Sequence, residues 1–245
     1  AGQAAPQAAV GALMRTRRAV VVGDPMQIEP VVPLPLPLTE MICRRFGVDP
    51  NKFNAPAASV QTLADEATFC MATLEGHQGN RIVGMPLIIH RRCAEPMFGL
   101  SNAVAYDRLM ISARTFKQSA IRSLLGPSHW FDIQGDTLDK WCPQEGHCVI
   151  GLLRKLANAR VEPDVYVVTP FVVVQDRLRD VILKSGVLDN WVAAPRDWGR
   201  QRVGTVHVVQ GREAEAVIFV LGAQGLQQAG ARNWAGGRPN LLNVA

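Results

Sequence analysis

The sequence predicts an α/β protein with a parallel sheet, and three observations point that way. Short valine- and isoleucine-rich runs alternate with stretches whose apolar residues recur at helical spacing, the order that builds strand–helix–strand units. Residues 165–169 (VYVVT) are β-branched or aromatic almost throughout, the mark of a strand buried on both faces. Residues 145–158 set Val149, Leu152, Leu153 and Leu156 on one face of a helix.

Taken in chain order, residues 19–22 (AVVV) read as a buried strand, ended by Gly23-Asp24-Pro25. Residues 30–37 (PVVPLPLP) hold four prolines in eight positions. Proline removes a ladder donor and clashes inside a helix, so this stretch reads as an extended connector and a boundary region. Residues 49–54 are a second turn-rich stretch. Residues 87–90 read as a strand, and a helix follows across 95–105. The strand at 165–169 is stopped by Pro170, and a helix resumes over 174–183. Residues 203–209 and 217–221 are two further strands, joined by a turn at 210–215. Residues 236–239 read as loop, and 240–245 begin another element. There is no internal repeat and no low-complexity tract.

A chain of 245 residues can bury a real core as one large domain or two small ones. With 48% hydrophobic and 19% charged residues and a mean hydropathy of +0.06, it is not a disordered tail. The longest apolar runs fall far short of a bilayer span, so no membrane partner is expected. No basic-then-apolar leader opens the sequence, which argues against secretion. Five cysteines (Cys43, Cys70, Cys93, Cys142, Cys148) lie scattered without a CxxC pair, fitting reduced thiols in a cytoplasmic protein. Cys142, His147 and Cys148 come nearest to a metal-ligand group, but zinc ligands usually come in tighter pairs, so no resident metal is expected. The balance of 26 basic against 21 acidic residues gives a net charge of +5 and a pI near 9.2. Of those basic residues 21 are arginine, whose guanidinium fork suits phosphate better than an ammonium does. That balance admits a polyanionic partner without identifying one.

Three segments carry side chains suited to chemistry. Gly23-Asp24-Pro25-Met26-Gln27 follows a strand, and ligands of open parallel sheets bind outside the carboxyl ends of strands. A carboxylate and an amide there can orient a water or sense a phosphate oxygen; the plain alternative is a β-turn. In residues 205–213 (TVHVVQGRE), Gly211 permits close backbone approach, while Arg212 and Glu213 can meet a phosphate and a ribose hydroxyl. There the plain alternatives are a core histidine at His207 and a solvated turn pair. In residues 87–92 (LIIHRR), two arginines follow a strand, with a ridge of surface arginine as the alternative.

Together these segments resemble, in order, the motifs of superfamily 1 nucleic-acid helicases of the Upf1-like branch. GDPMQ at 23–27 resembles motif III. HRR at 90–92, with Pro96, Ser101-Asn102, Tyr106 and Leu109 downstream, resembles motif IV and the helix after it. VTPF at 168–171 with Gln175 resembles the segment that follows. TVHVVQGREAEAVIFV at 205–220 resembles motif V and is the most specific match. NLLNVA at 240–245 resembles the opening of motif VI, and Ala1-Gly2-Gln3 the tail of motif II. The resemblance covers nearly the whole chain and implies a fragment bounded by two catalytic motifs.

The resemblance implies a RecA-like fold of the P-loop NTPase type. Residues 1–32 would be the remnant of a first RecA-like domain, 33–84 a proline-rich, partly helical connector and 85–245 a second RecA-like domain. It implies ATP and Mg²⁺ as cofactors, both needing the first domain of the same protein, and single-stranded or duplex nucleic acid as partner, with DNA and 5′→3′ movement favoured. Gln27 would sense the γ-phosphate, with Gly23 and Asp24 shaping its loop. Arg91 would be the arginine finger. His90, Gly211, Arg212 and Glu213 would line the nucleotide cleft, Glu213 on the ribose. Thr169, Pro170, Thr205 and His207 would touch the nucleic-acid backbone.

Two features depart from the family pattern. An aromatic residue usually precedes the motif IV arginine, where this chain has His90. No GxxxxGK[ST] phosphate loop occurs in the sequence, and no acidic pair precedes Ala1. Without those groups phosphoryl transfer loses most of its electrostatic stabilisation, so the isolated chain is expected not to turn over ATP. The rival expectation is a non-catalytic nucleic-acid-binding or scaffold module with a degenerate helicase fold. A metal-dependent nuclease would need a carboxylate cluster, and only isolated pairs such as Asp132 and Asp136 are present.

Overall fold

The five residues of VYVVT form strand β5 in the order followed below, and all five are buried. Fully burying one valine contributes about 2 kcal/mol, so such a run is stable only where sheet neighbours and helices cover it. A computed structural model describes the chain except residues 25, 75–79, 116, 117 and 238 and the side chains of Arg81 and Pro239. The chain is mixed α/β and forms two compact units, Ala1–Arg114 and Thr115–Ala245. The division falls inside the 85–245 stretch that the family resemblance assigns to one domain.

In the first unit, helices α1 (Pro6–Leu13), α2 (Leu36–Arg45), α3 (Pro50–Phe53) and α4 (Val60–Ala67) precede an antiparallel pair, β1 (Ala72–Leu74) and β2 (Arg81–Val83). A parallel strand–helix–strand unit follows: β3 (Ile89–His90), α5 (Met97–Ala105) and β4 (Ile111–Ser112). Asn102 clamps the return into β4, its amide donating to the Met110 carbonyl at 3.0 Å and its side-chain oxygen accepting the Met110 N–H at 3.0 Å. Ser59 and Thr62 cap α4 reciprocally, and Asp65 on that helix accepts the Gly84 N–H at 3.0 Å and the Gln61 amide at 2.9 Å. No side chain of α1 or α2 is buried.

Three expectations for this unit are corrected. Residues 19–22 form no regular element and join no sheet among the described residues, and Val20 is 91% exposed. A strand becomes central only with neighbours on both edges; here the Ala1 ammonium donates to the Val22 carbonyl at 2.9 Å, and Gly2 lies against the Asp24 carbonyl. The proline-rich connector ends in helix, α2 starting at Leu36, because a proline in the first helical turn removes a donor that has no partner there in any case. Residues 49–54 hold one helical turn, α3, capped by Asp49 accepting the Asn51 N–H at 2.9 Å.

The second unit contains α6 (Ala120–Leu125), α7 (Pro143–Asn158), β5 (Val165–Thr169), α8 (Val172–Lys184), α9 (Pro195–Arg202), β6 (Val203–Thr205), α10 (Val206–Val209) and β7 (Ala216–Phe219). A short 3₁₀ turn, Leu226–Gln228, leads into α11 (Ala229–Gly236) and α12 (Pro239–Val244). The sheet order is β6-β5-β7, all parallel, with Thr169 beside Thr205 and Val165 beside Ala216. The expected face of α7 is buried at Val149, Leu153 and Leu156, and α8 buries Val174, Leu178 and Ile182. The largest fully buried side chains all belong to this unit. Arg179 bonds the Val203 carbonyl at 2.9 Å through Nε and at 2.7 Å through Nη2, fixing β6 to α8.

The expected strand over 203–209 stops at Thr205. Val206 and Val209 are buried while His207 and Val208 are exposed, which is helical spacing. The expected loop over 236–239 is shorter than read, since Gly236 closes α11 and Pro239 opens α12. No helix among the described residues is long and apolar enough to cross a membrane.

One polar residue stands among the α7 core positions. Glu145 is 8% exposed; Oε1 accepts the Gln224 amide at 3.0 Å, and Oε2 has no hydrogen-bond partner among the described residues. Burial pushes its carboxyl above the usual range, against the opposing pull of the Gln224 amide and the Gly222 N–H. A group that holds its proton more tightly folded than unfolded costs stability as pH rises from the ordinary glutamate range through its folded pKa. Glu145→Gln is therefore expected to unfold at a higher temperature than wild type at neutral pH, with the gap closing on acidification. Thermal denaturation at several pH values checks this, and a lower melting temperature at neutral pH would show that the charged form is needed.

Candidate functional site

The first group of expected site residues gathers around Asp24. Its Oδ1 accepts the Met26 N–H at 2.9 Å, and its Oδ2 accepts the Gln27 amide at 3.2 Å and the Tyr106 hydroxyl. Tyr106 caps α5, so this carboxylate ties the 23–27 loop to the β3–α5–β4 unit that carries His90 and Arg91. Pro25, between them in sequence, lies outside the described residues. Gly23 is required by crowding: a Cβ there would stand 2.7 Å from the Gln61 side-chain oxygen and 2.7 Å from the Gly2 nitrogen. Ala1 and Gly2 thus run against Gly23 and Asp24, bringing together the two segments that resemble motifs II and III.

His90 is half-buried at the end of β3. Its Nε2 accepts the Cys93 N–H at 3.0 Å and lies 3.0 Å from the Cys93 sulfur, and its ring leans on Phe98 with centroids 5.4 Å apart. Burial, reinforced by the Arg92 guanidinium, pushes the imidazole pKa down, so the ring favours the neutral form. Burial pushes the Cys93 thiol up, with Arg92 and Arg114 opposing it. Arg91 is exposed and makes no hydrogen bond or ion pair among the described residues, so its guanidinium is available to an anion.

The second unit holds the remaining residues in two places. Thr169, Pro170 and Thr205 stand at the carboxyl ends of β5 and β6 and are all buried. Thr205 donates its N–H to the Gln175 side-chain oxygen at 2.9 Å, a buried bond joining α8 to β6. His207 follows on α10 and is exposed. Gly211, Arg212 and Glu213 form the turn into β7. Gly211 has φ +82°, the left-handed region that glycine enters without strain. The Arg212 guanidinium donates to the Gln201 carbonyl at 3.3 Å, just ahead of β6, and Glu215 donates its N–H to Asp164 at 3.0 Å, just ahead of β5. This turn therefore passes the amino ends of the strands, opposite Thr169 and Thr205.

Several polar and aromatic residues at the carboxyl edge were not singled out from sequence. Gln224 links the loop after β7 to Glu145, and Thr137 donates to the Gln224 carbonyl at 2.7 Å. Phe171 stacks on Trp234, with the Lys140 ammonium 6.0 Å from the Phe171 ring. A signal did exist for Glu145: it opens the same apolar face as Val149 and Leu153. Trp234 carried none, because its neighbours in sequence have no helical periodicity.

All five cysteines are free, and among the described residues no three His, Cys, Asp or Glu side chains gather as metal ligands. No protein-family model, curated protein or solved structure matches the chain.

Proposed function

We propose that this chain is the C-terminal portion of an ATP-dependent nucleic-acid helicase, its residues 115–245 contributing most of a RecA-like domain. The observation that supports this best is the buried bond from Thr205 to Gln175. It joins two segments, 168–175 and 205–220, that independently resemble consecutive helicase motifs, and it sets Thr169 beside Thr205 on neighbouring parallel strands. The Asp24–Tyr106 contact joins a second such pair in residues 1–114.

Toward ATP, the chain offers what its own residues supply. Arg91 presents a guanidinium with no partner among the described residues, suited to charge on a transferring phosphoryl group, and His90 presents a neutral ring already held against Phe98. Asp24 is occupied by Gln27 and Tyr106 and is poorly placed to hold magnesium. No GxxxxGK[ST] occurs in the 245 residues, so the phosphate loop and the metal carboxylates would come from a partner domain. That same absence favours one second reading, a non-catalytic nucleic-acid-binding module on a degenerate helicase fold.

Two outcomes are expected. In a protein that joins this chain to a phosphate-loop domain, Arg91→Ala should lower strand-stimulated ATP hydrolysis by about 10³-fold while nucleotide binding persists. Wild-type turnover in the variant removes the finger assignment, and absence of turnover in the parent protein favours the binding module. The chain alone should bind single strands without sequence preference, its affinity falling linearly with salt on logarithmic axes. Fluorescence anisotropy with labelled oligonucleotides measures that slope, and a flat response would exclude phosphate contacts.

A further inference from the structure

The carboxyl edge of the β6-β5-β7 sheet carries an aromatic pair, Phe171 and Trp234, whose exposed member lies outside every motif resemblance. Phe171, directly after β5, is buried, and Trp234 on α11 packs on it with ring centroids 5.8 Å apart and planes 36° from parallel. Trp234 is itself 51% exposed, so one side of the indole rests on Phe171 while much of the rest is open to solvent. Its Nε1–H has no partner among the described residues.

Two cations belong to the same edge. The Lys140 ammonium lies 6.0 Å from the Phe171 ring centroid and shares its charge with Asp139 at 3.2 Å, a solvated ion pair that an incoming anion can replace at small cost. Arg232, on the same helix as Trp234, donates to the Ala223 and Gly225 carbonyls at 2.6 Å and meets no carboxylate among the described residues. Those bonds pin α11 to the loop after β7. The loop is pinned in turn by Thr137 and by the buried Glu145–Gln224 pair. The indole is thus held on a braced support, with Lys140 near the ring it rests on and Arg232 two residues before it on the same helix.

We propose that Trp234, braced by Phe171, is a stacking platform for an unpaired base of a single-stranded nucleic acid, with Lys140 and Arg232 meeting the adjoining phosphates. This rests on the nucleic-acid reading above and adds to it the residue that would hold a base rather than the backbone. Every base has a π-face, so such a platform accepts any sequence, and its loss costs affinity without changing sequence preference. An exposed aromatic beside cations is the combination that single-strand sites use.

The test compares an oligothymidylate with a strand of the same length whose central positions lack bases. Each is titrated with the complete 245-residue chain and with its W234A, W234F and K140A variants, read by anisotropy. Wild type should prefer the strand with bases by roughly 5- to 100-fold. W234A should erase that preference, W234F should keep most of it, and K140A should weaken both strands alike. Because Trp234 is half exposed, W234A leaves the core intact, and its melting curve checks that. If W234A binds both strands as wild type does, the platform is overturned while the nucleic-acid reading stands. If no strand binds at low salt, both fall.

Discussion

Strand β5 is paired along both edges and covered on both faces, and the second unit is organised around it. The neighbours β6 and β7 satisfy its backbone donors and acceptors, while α7 and α8 bring Leu153, Leu156, Leu178 and Ile182 into the buried layer. A parallel strand with nothing polar to show to water has no stable state until this is done. Its carboxyl end is therefore a fixed reference, and Thr169, Pro170 and Phe171 are set in space before any ligand is considered.

Residues 1–114 are built on a different balance. Few large side chains are buried there, and the segments are held by discrete polar bonds: Asn102 to Met110, Asp65 to Gly84, and Asp24 to Gln27 and Tyr106. Each such bond contributes on the order of 1 kcal/mol, so geometry here depends on individual partners more than on packing. Gly23 illustrates the constraint, since any side chain would collide with Gln61 and Gly2.

The parts of the fold legible in the sequence were those where periodicity and burial coincide. VYVVT, the 149–156 face and the 217–221 run have patterns that only one element satisfies, and each formed. AVVV at 19–22 has the same composition as a central strand, but composition does not supply neighbouring strands, and none lies beside it among the described residues. Residues 203–209 differ for a second reason: valines at 206 and 209 suit a strand by propensity, yet their spacing also buries them on one side of a helical turn. Of the candidate site, Asp24, Gln27, His90 and Arg91 could be found because resemblance fixed their positions. Gln224 and Trp234 could not, because their meaning arises only when the loop after β7 returns to the carboxyl edge.

That return changes how the carboxyl edge can act. Thr169, Pro170 and Thr205 are buried, so a strand crossing this edge would meet the surface they shape more than their own side chains. The Thr205 N–H is already committed to Gln175, and the Thr169 hydroxyl accepts the Phe171 N–H at 3.4 Å. On the proposed reading these threonines position the backbone of the edge, and the groups left to meet a ligand are exposed His207, Trp234 and the flanking cations. Substituting a buried threonine would then act through the shape of the edge and through stability together. Changing an exposed residue there would alter binding alone, which makes the exposed set the more informative place to ask what the edge recognises.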